Sequence, residues 1–564
     1  MDQKSSSSPD NFTFPWQKSY PSYVSWDKIY QAEPHFNLLE RAVDVHGHRV
    51  ATDFMGKTLT YGEIGAASNK IARGLQDLGI KKGDKVGLFL PNSPTYIIYY
   101  FAILKIGGVV VNYNPLYTVN ELEFQVLNSE TQIMVTLDLA LLFEKCDALM
   151  QSGALKQTVV ASFKNLLPPL KSFLFGLFKS GELAQIANSA SADQCVLEAQ
   201  LMASSGAPQP VAIDPLKDLA VLQYTGGTTG RPKGAMLTHA NIYINTRQAV
   251  DWAPDLVEGE EVFMGILPFF HVFAMTCVMN FSVAVGARMI LLPKFELQQA
   301  IKLMARTSPT CMPGVPTLFN ALLNAKKLPR NAVKNLKFCI SGGAPLPLEI
   351  KHGFEQLSGC ALVEGYGLSE TSPILTANVP NGQVIEGSIG IPFPQTVLSI
   401  RSLNDPAVEV PLGEKGEICA KGPQVMPGYW NAKEATDEVF VGDYFRTGDV
   451  GTMDEAGYTY IVDRIKDLII CSGFNVYPRK IEDALYEHPA IEEVTVVGIP
   501  DDYRGEAPKA FVKLKDGQTL EAQELMAFLT DKLSKLEMPE EIEFRDELPK
   551  TMVGKLSKKE LRAD

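Results

Sequence analysis

The sequence predicts an α/β protein with a large N-terminal domain and a small C-terminal domain. Segments of helical and strand periodicity alternate along much of the chain, which is typical of a sheet covered by helices. Short strand patterns replace this alternation towards the end. The chain has 564 residues, of which 46% are hydrophobic, so it is long enough for several folding units with large cores.

The alternation is clearest after residue 60. Apolar residues recur at helical spacing from Ile64 to Leu78, and Gly79 ends the pattern. A short apolar run, Val86–Leu90, then predicts a buried strand that ends at Pro91. The same rhythm predicts the helices Ile97–Ile106 and Leu297–Arg306 and the strands Val109–Val111 and Leu336–Ile340. We therefore expect a mostly parallel sheet covered by helices.

Strand patterns dominate the next part of the chain, and a small mixed unit follows them. The predicted strands are Thr396–Ser402, Gly416–Lys421 and Tyr458–Val462. The mixed unit has the predicted helix Arg479–Glu487, the strand Val494–Val497 and a helix near Glu524–Leu533. Charges interrupt two apolar runs at Arg464–Asp467. We therefore predict an N-terminal domain of residues 1–464, a hinge at 465–466 and a C-terminal domain of residues 467–564.

Residues 151–215 interrupt the alternation and resemble an insertion. Within them, Phe163–Phe178 places many leucines and phenylalanines around two lysines, Lys164 and Lys171. Two interpretations stay open. The segment could lie on a membrane surface with its lysines at the headgroups, or it could pack on the protein's own core.

Composition and charge exclude several classes of protein. A net charge of −13 without a basic tract disfavours a nucleic-acid partner. The eight cysteines form no Cys-x-x-Cys pair, so we expect reduced, buried thiols in a cytoplasmic protein rather than a metal site. The apolar stretch Thr95–Val111 is interrupted by Lys105 and fits a core helix and strand better than a membrane span. The N-terminus has no uninterrupted apolar run, so we expect no secretory signal.

The most informative motif is Tyr224–Gly234, with the sequence YTGGTTGRPKG. It follows an apolar strand and precedes a stretch that we interpret as helical. Small residues let main-chain N–H groups approach phosphate closely, hydroxyls add donors, and Lys233 supplies positive charge. Lys233 is followed by glycine, which excludes the P-loop of nucleotide triphosphatases. The predicted phosphate-binding residues are Thr225, Gly226, Gly227, Thr228, Thr229, Gly230 and Lys233.

Further segments carry residues suited to nucleotide chemistry. Taken alone, each has an ordinary explanation, such as a packed histidine, a turn after a strand or a surface lysine. Carboxylates such as those of Glu370 and Asp449 can bind a hard cation or accept two hydrogen bonds from hydroxyl groups. In chain order these segments are Pro268–Ala274, Ser341–Pro345, Glu364–Thr371, Tyr444–Asp449, Ile461–Lys466 and Pro549–Lys555.

Together the motifs resemble those of the acyl-adenylate-forming enzymes, which include acyl-coenzyme A synthetases, firefly luciferase and nonribosomal peptide adenylation domains. They occur in the family's order between about residue 50 and Leu561. The resemblance implies a large N-terminal domain of stacked sheets and helices with a β-barrel-like subdomain, and a small, mobile α+β C-terminal domain. It also implies Mg²⁺ as a cofactor, with ATP and coenzyme A as co-substrates.

The resemblance also implies roles for individual residues. His271 would lie between the acyl pocket and the phosphate site, and Lys555 would stabilise charge on the transferring phosphate. Thr228 and Glu370 would act in catalysis and hold the metal. Lys466 would be the hinge about which the C-terminal domain rotates.

The binding sites follow from the same resemblance. The implied nucleotide contacts, besides the phosphate loop, are Gly342, Gly343, Ala344, Tyr366, Gly367, Thr371, Asp449, Arg464 and Lys555. Ser472, Gly473 and Phe474 would border coenzyme A, and Phe269, Phe273 and Met275 would line the acyl pocket. Met275 stands where one long-chain enzyme of the family has a gating tryptophan, so the same gate is not implied.

Two segments, Gln424–Trp430 and Asp463–Pro478, resemble bacterial long-chain fatty acyl-coenzyme A synthetases and imply a fatty acid substrate. We therefore predict a ligase that forms acyl-AMP and transfers the acyl group to coenzyme A. The alternatives are a fatty acyl-AMP ligase that loads a carrier protein, an oxidative luciferase-like enzyme, and a non-catalytic fatty-acid-binding or membrane scaffold protein. We expect a cytoplasmic location, with the inner face of the membrane as a peripheral site, and the family makes a homodimer an option.

Overall fold

The computed structural model describes residues 13–225, 232–380, 382, 384–472, 474–501, 503–551 and 554–562. The chain divides into two compact units. The larger unit comprises Tyr30–Leu375, Pro423–Phe440 and Leu548–Asp564, and the smaller unit comprises Met1–Ile29, Thr376–Gly422 and Val441–Glu547. Two short strands, Ile374–Ala377 and Phe440–Val441, contain points where the chain passes from one unit to the other.

One sheet of the larger unit is parallel except for its last strand. In spatial order its strands are Cys195–Leu197, Gln157–Ala161, Ile133–Leu137, Lys85–Leu88, Val109–Asn112, Leu219–Thr225 and Lys233–Thr238. All four residues of Val109–Asn112 are buried, as expected for a parallel strand covered on both faces.

The part of the second sheet from Leu362–Gly367 to Lys57–Thr60 is also parallel except for its last pair. It contains, in spatial order, Leu362–Gly367, Phe338–Ser341, Cys311–Gly314, Val262–Gly265, Arg288–Leu291, Val50–Phe54 and Lys57–Thr60. The carboxyl ends of parallel strands share one edge, where ligands bind in open α/β sheets. Three of these strands, Val262–Gly265, Phe338–Ser341 and Leu362–Gly367, lead into or contain segments that we predicted to bind substrate.

Helices connect the strands of both sheets. Pro94–Lys105 shows why they form: Ser93 caps its first turn by accepting from the N–H of Tyr96, and Pro94 occupies the first helical position. The α-helices of the larger unit are Asn37–His46, Tyr61–Asp77, Pro94–Lys105, Val119–Ser129, Ala140–Gln151, Pro169–Phe178, Glu198–Met202, His239–Asp251, Val272–Ala274, Phe281–Ala284, Leu297–Thr307, Pro316–Leu323, Leu348–Ser358, Lys433–Glu438 and Lys558–Leu561, with a π-helix at Met275–Asn280. Within the described part of the chain, none is long and apolar enough to cross a membrane.

The smaller unit contains two sheets, whose strands reach up to eleven residues. One has the antiparallel strands Val397–Arg401, Gly416–Lys421, Tyr444–Met453 and Thr459–Arg464. The other has Ile469–Cys471, Phe474–Val476, Ile491–Asp501, Gly505–Leu514 and Glu541–Phe544. Helices Pro478–Tyr486 and Ala522–Leu529 contribute Leu485 and Leu525 to a core that includes Val494.

The α/β fold class is confirmed, and most predicted elements lie where the periodicity places them. The predicted helix from Ile64 to Leu78 is Tyr61–Asp77, and the predicted core helix and strand at Thr95–Val111 are both present. The predicted strand Val494–Val497 was too short, because Ile491–Asp501 pairs with Gly505–Leu514 along its length. The eight cysteines are free, and all but Cys195 are buried. The domain boundary and hinge at residues 464–467 stay a prediction.

Candidate active site

The predicted phosphate loop closes a β-hairpin. Strand Leu219–Thr225 pairs with Lys233–Thr238, and Thr225 lies directly opposite Lys233. The prediction that a helix follows the loop directly was wrong: the strand comes first, and the helix His239–Asp251 follows it. The alternation of small and apolar residues in KGAMLT suits a strand that pairs with its neighbour. The predicted residues Gly226, Gly227, Thr228, Thr229 and Gly230 lie outside the described residues.

Glu370 is a buried carboxylate beside the base of this hairpin. It lies in the turn after strand Leu362–Gly367, and its Oε1 accepts a hydrogen bond from the hydroxyl of Tyr429 at 2.8 Å. The ammonium of Lys233 lies 5.4 Å from the centre of the Tyr429 ring. One tyrosine therefore contacts both a predicted metal ligand and the predicted phosphate-binding lysine.

The turn that carries Glu370 is tightly built. The hydroxyl of Thr371 is buried and donates within the turn, to the carbonyl of Leu368 or Pro373, while it accepts from the N–H of Leu368. A Cβ on Gly367 would lie 1.8 Å from the Pro373 carbonyl oxygen, so only glycine fits there. Tyr366 is half-buried. Thr371 thus shapes the turn in this structure, and its predicted contact to phosphate stays a prediction.

His271 ends the loop that follows strand Val262–Gly265. Its Nδ1 accepts a hydrogen bond from the N–H of Phe273 at 3.2 Å, which caps the helix Val272–Ala274. Burial, reinforced by the nearby ammonium of Lys555, lowers the pKa of His271 to about 3. The imidazole is therefore neutral near pH 7. Since Nδ1 is the acceptor, the proton is on Nε2, where it can be donated to a substrate oxygen.

Buried polar side chains from the neighbouring sheet hold this loop. The side chain of Asn92 donates to the carbonyls of Gly265 and Leu267 and accepts from the N–H of Phe269 at 2.7 Å. The amide of Gln223 donates to the carbonyl of Phe270 at 3.0 Å. These hydrogen bonds to the backbone of the loop therefore help to fix the position of His271, in addition to the hydrogen bond that its own side chain makes.

The predicted acyl-pocket residues are buried together. Phe269 and Met275 are fully buried, and Phe273 is nearly so. Met275 begins the π-helix, a form that is frequent at functional sites, and its sulfur lies 3.6 Å from the amide nitrogen of Asn112. A Cβ on Gly342 would lie 3.1 Å from the Phe273 ring, so the predicted acyl and nucleotide segments are in contact.

Lys555 reaches the same region from the C-terminal tail, which belongs to the larger unit. A Cβ built on Gly343 would lie 2.5 Å from Cε and 2.9 Å from Nζ of Lys555. The tail turns back on itself between Lys550 and Leu556, and the hydroxyl of Thr317 donates to the carbonyl of Gly554 at 2.6 Å. The half-buried Ala344 follows in the same loop. Lys555 therefore lies beside Gly343 and close enough to His271 to lower the pKa of the His271 imidazole.

Asp449 and Arg464 lie in the smaller unit. They are directly paired across two strands, and Nε of Arg464 lies 3.2 Å from Oδ1 of Asp449. Lys466 lies in a short 3₁₀ turn just beyond. Ser472 has a positive φ of 53° and Phe474 is exposed, whereas Gly473 lies outside the described residues. Convergence of this pair with the larger unit's residues around one nucleotide stays a prediction.

The donor groups fit a magnesium ion that is shared with a substrate. Among the described residues, no group of three or more histidine, cysteine or carboxylate side chains could hold a metal ion. Mg²⁺ commonly binds through one or two carboxylates together with substrate phosphates and water. Glu370, buried beside the hairpin of Lys233, is a carboxylate of this kind, and its role as a metal ligand stays a prediction.

Asn92, Gln223 and Tyr429 were not among the residues predicted from the sequence. A signal was present for Tyr429, because it lies in the segment Gln424–Trp430 that carries the long-chain resemblance. The buried amides gave no signal, since an asparagine after a strand usually marks a turn.

Comparisons with known proteins identify the family of the chain. The family model described as "AMP-binding enzyme" matches residues 39–430, and the one described as "AMP-binding enzyme C-terminal domain" matches residues 480–555. The chain is 43% identical to a long-chain-fatty-acid–CoA ligase of Bacillus subtilis over 551 residues, covering 97% of each chain.

Solved structures with the same fold contain nucleotides. ATP-bound MatB from Rhodopseudomonas palustris is 30% identical, with a TM-score of 0.81, and the match covers 94% of this chain and 98% of that one. The o-succinylbenzoate coenzyme A synthetase MenE from Bacillus subtilis, solved with ATP and magnesium ion, is 25% identical, with a TM-score of 0.73 and coverage of 93% and 98%. The chain belongs to the family of AMP-binding enzymes.

Proposed function

We propose that the protein is an ATP-dependent ligase that joins long-chain fatty acids to coenzyme A through an acyl-AMP intermediate. The observation that carries the proposal is the placement of Lys555 against Gly343 and near His271, in the unit that also holds Lys233 and Glu370. Full-length similarity to a long-chain-fatty-acid–CoA ligase supports the choice of substrate.

In the first half-reaction, a carboxylate oxygen of the fatty acid attacks the α-phosphorus of ATP. The bond from the α-phosphorus to the bridging oxygen breaks, and pyrophosphate leaves. Lys555 and Lys233 offset the negative charge, and neutral His271 donates from Nε2. Mg²⁺, when bound at Glu370 with Thr228, adds positive charge at the phosphates. Asp449 would accept hydrogen bonds from the ribose, and Arg464 would contact ribose and phosphate.

In the second half-reaction, the thiol of coenzyme A attacks the acyl carbon of acyl-AMP. The bond from the acyl carbon to the phosphate oxygen breaks, AMP leaves and the thiol proton is released. We propose that rotation about Lys466 first withdraws Lys555 and brings Ser472, Gly473 and Phe474 to the coenzyme A side. Such rotation lets one adenylate site serve two reactions in sequence.

Release of pyrophosphate and AMP tests this function. Pyrophosphate should be released when palmitate is the substrate and not when acetate replaces it. Release of AMP should require coenzyme A. If AMP appears only with a carrier protein, the enzyme is instead an acyl-AMP ligase that loads that carrier. Oxygen uptake would indicate luciferase-like chemistry, and no pyrophosphate with any fatty acid would leave only a binding or scaffold role.

We also propose that helix Pro169–Phe178 contacts a membrane surface at the inner face. Its exposed apolar residues recur at spacings of three and four, so they form one stripe. They are Leu170 (70% exposed), Phe173 (66%), Leu174 (41%), Leu177 (60%) and Phe178 (76%). Phe175 faces the protein instead, and its ring centre lies 5.1 Å from that of Phe163.

Lysines lie on this helix or close to it. Lys171 donates to the carbonyl of Met55 at 2.7 Å, Lys57 donates to the carbonyl of Asn165, and Lys164 lies against Gly176. This charge suits anionic lipid headgroups. The alternative, packing of the segment on the protein's own core, is supported by Phe163 and Leu167, which are buried.

Vesicle sedimentation tests the membrane proposal. Replacing Leu170, Phe173 and Leu177 by serine should lower binding to phosphatidylglycerol vesicles by about tenfold or more, since each buried apolar side chain contributes about 1.5–3 kcal/mol. A matched control replaces Leu127, Leu141 and Leu216, which are equally exposed elsewhere in the larger unit. If the triple variant and its control bind the vesicles equally well, helix Pro169–Phe178 is not the membrane-binding surface. A homodimer stays a prediction, which analytical ultracentrifugation tests.

A further inference from the structure

Tyr429 is a buried residue outside the predicted site that is fixed firmly beside it. The Gly428 carbonyl accepts from the N–H of Met236 at 3.0 Å, and the Trp430 N–H donates to the carbonyl of Gly234 at 2.8 Å. The N–H of Tyr429 itself donates to the hydroxyl of Thr436 at 2.9 Å. The segment is therefore bound on both sides of Tyr429 to the strand that leaves the phosphate loop.

The Tyr429 side chain joins two groups of opposite charge. Its hydroxyl donates to Oε1 of Glu370 at 2.8 Å, and its ring centre lies 5.4 Å from the ammonium of Lys233. An ammonium at that distance from an aromatic face is attracted by the ring quadrupole. The side chain thus restrains the carboxylate on one side and contacts the loop lysine on the other.

We propose that Tyr429 is a positioning residue that orients the carboxylate of Glu370 for the metal ion that accompanies the nucleotide. The inference rests on the proposed role of Glu370 as a metal ligand. Hydrogen bonds to a metal-binding carboxylate fix its orientation, and their loss typically weakens metal binding by about 10- to 100-fold.

The phenol suits this role because an ionised carboxylate has only acceptor oxygens, and an O–H group can donate to one of them. The hydroxyl of Tyr429 lies 2.8 Å from Oε1 of Glu370, which is hydrogen-bond distance.

Binding of Mn²⁺, measured by electron paramagnetic resonance with a non-hydrolysable ATP analogue and no fatty acid, tests the proposal. Tyr429→Phe keeps the ring near Lys233 and removes only the hydroxyl, so it should weaken Mn²⁺ binding by about tenfold. In a Glu370→Gln background it should cause no further loss, because Tyr429 acts through Glu370. The control Tyr61→Phe, which removes a buried hydroxyl bonded to the carbonyl of Ala287 at 2.6 Å, should bind Mn²⁺ like the wild type.

Three results would overturn the proposal: wild-type Mn²⁺ affinity in Tyr429→Phe, wild-type affinity in Glu370→Gln, or an equal loss from Tyr429→Phe with and without Glu370. Thermal unfolding of each variant separates lost binding from lost folding. Because no acyl substrate is present, these results do not depend on which acid the enzyme activates. Failure of the ligase assignment would appear separately, as absent pyrophosphate release with palmitate.

Discussion

Two parts of the candidate active site are held in place very differently. His271 and Glu370 lie on loops at the ends of sheet strands, and buried hydrogen bonds from Asn92, Gln223 and Tyr429 fix those loops or side chains. Lys555 instead reaches the site on the C-terminal tail. There the hydroxyl of Thr317 donates a hydrogen bond to the carbonyl of Gly554, and Lys555 lies beside Gly343.

This difference matches the division of labour in the proposed mechanism. Groups that bind the nucleotide are needed in both half-reactions, and a rigid setting preserves their geometry. Lys555 is needed only for adenylation, so withdrawal of the tail afterwards would leave the nucleotide-binding groups in place. Variants of the tail should therefore separate the half-reactions.

The largest expected effect comes from Lys555→Ala. Adenylation, measured as palmitate-dependent pyrophosphate release, should fall by about 100- to 1,000-fold, the loss typical of removing a group that stabilises transition-state charge. Conversion of supplied palmitoyl-AMP to palmitoyl-coenzyme A should change little. Equal losses in both half-reactions would contradict withdrawal of Lys555 between them.

Gly343→Ala should lower adenylation by about 10- to 100-fold, since misplacing a reacting group by about 1 Å can cost that much. A Cβ there would overlap Lys555, and the φ of 82° also strains any other residue. Gly359→Ala is the matched control, because its φ is 76° and nothing lies within 4 Å of the new methyl group. The loss should vanish in a Lys555→Ala background, and its persistence there would show that the contact is irrelevant.

Thr317→Val should have a smaller effect, because it removes one hydrogen bond to the tail. A net loss of about 1 kcal/mol lowers occupancy of the docked tail and adenylation by about fivefold at most. Thr307→Val removes a hydroxyl that bonds within its own helix, and it should leave adenylation unchanged. A slower thioester step in Thr317→Val would argue against a contact that serves adenylation alone.

The smallest effect is a pKa shift at His271. The Lys555 ammonium disfavours the imidazolium, so Lys555→Ala should raise the pKa of His271 above about 3, while burial keeps it below the ordinary value. Histidine-selective NMR titration, assigned with His271→Asn, measures the shift. Because the pKa is lowered, the wild-type rate should show no inflection from His271 between about pH 5 and pH 8. An unchanged pKa would place Lys555 elsewhere in solution.

The alternation of helical and strand patterns predicted the fold class, and the motifs gave the candidate site residues, because those signals are local in the chain. The contacts that orient them are not local. Tyr429 and Glu370 are 59 positions apart, and Asn92 and Phe269 are 177 apart, so their pairing depends on how the strands are arranged in space. The strand Lys233–Thr238 after the phosphate loop was also not predicted. Its six residues are too few for their apolar pattern to distinguish a strand from a helix. Pairing with Leu219–Thr225 makes the segment a strand.

The central claim is that the carboxylate of the fatty acid attacks the α-phosphorus of ATP. The most direct test is whether a carboxylate oxygen is transferred to AMP. If the carboxylate attacks the α-phosphorus, palmitate labelled with ¹⁸O in both carboxyl oxygens should give AMP that carries one ¹⁸O atom after coenzyme A is added. Mass spectrometry of the released AMP measures this label. AMP without ¹⁸O would contradict an acyl-AMP intermediate.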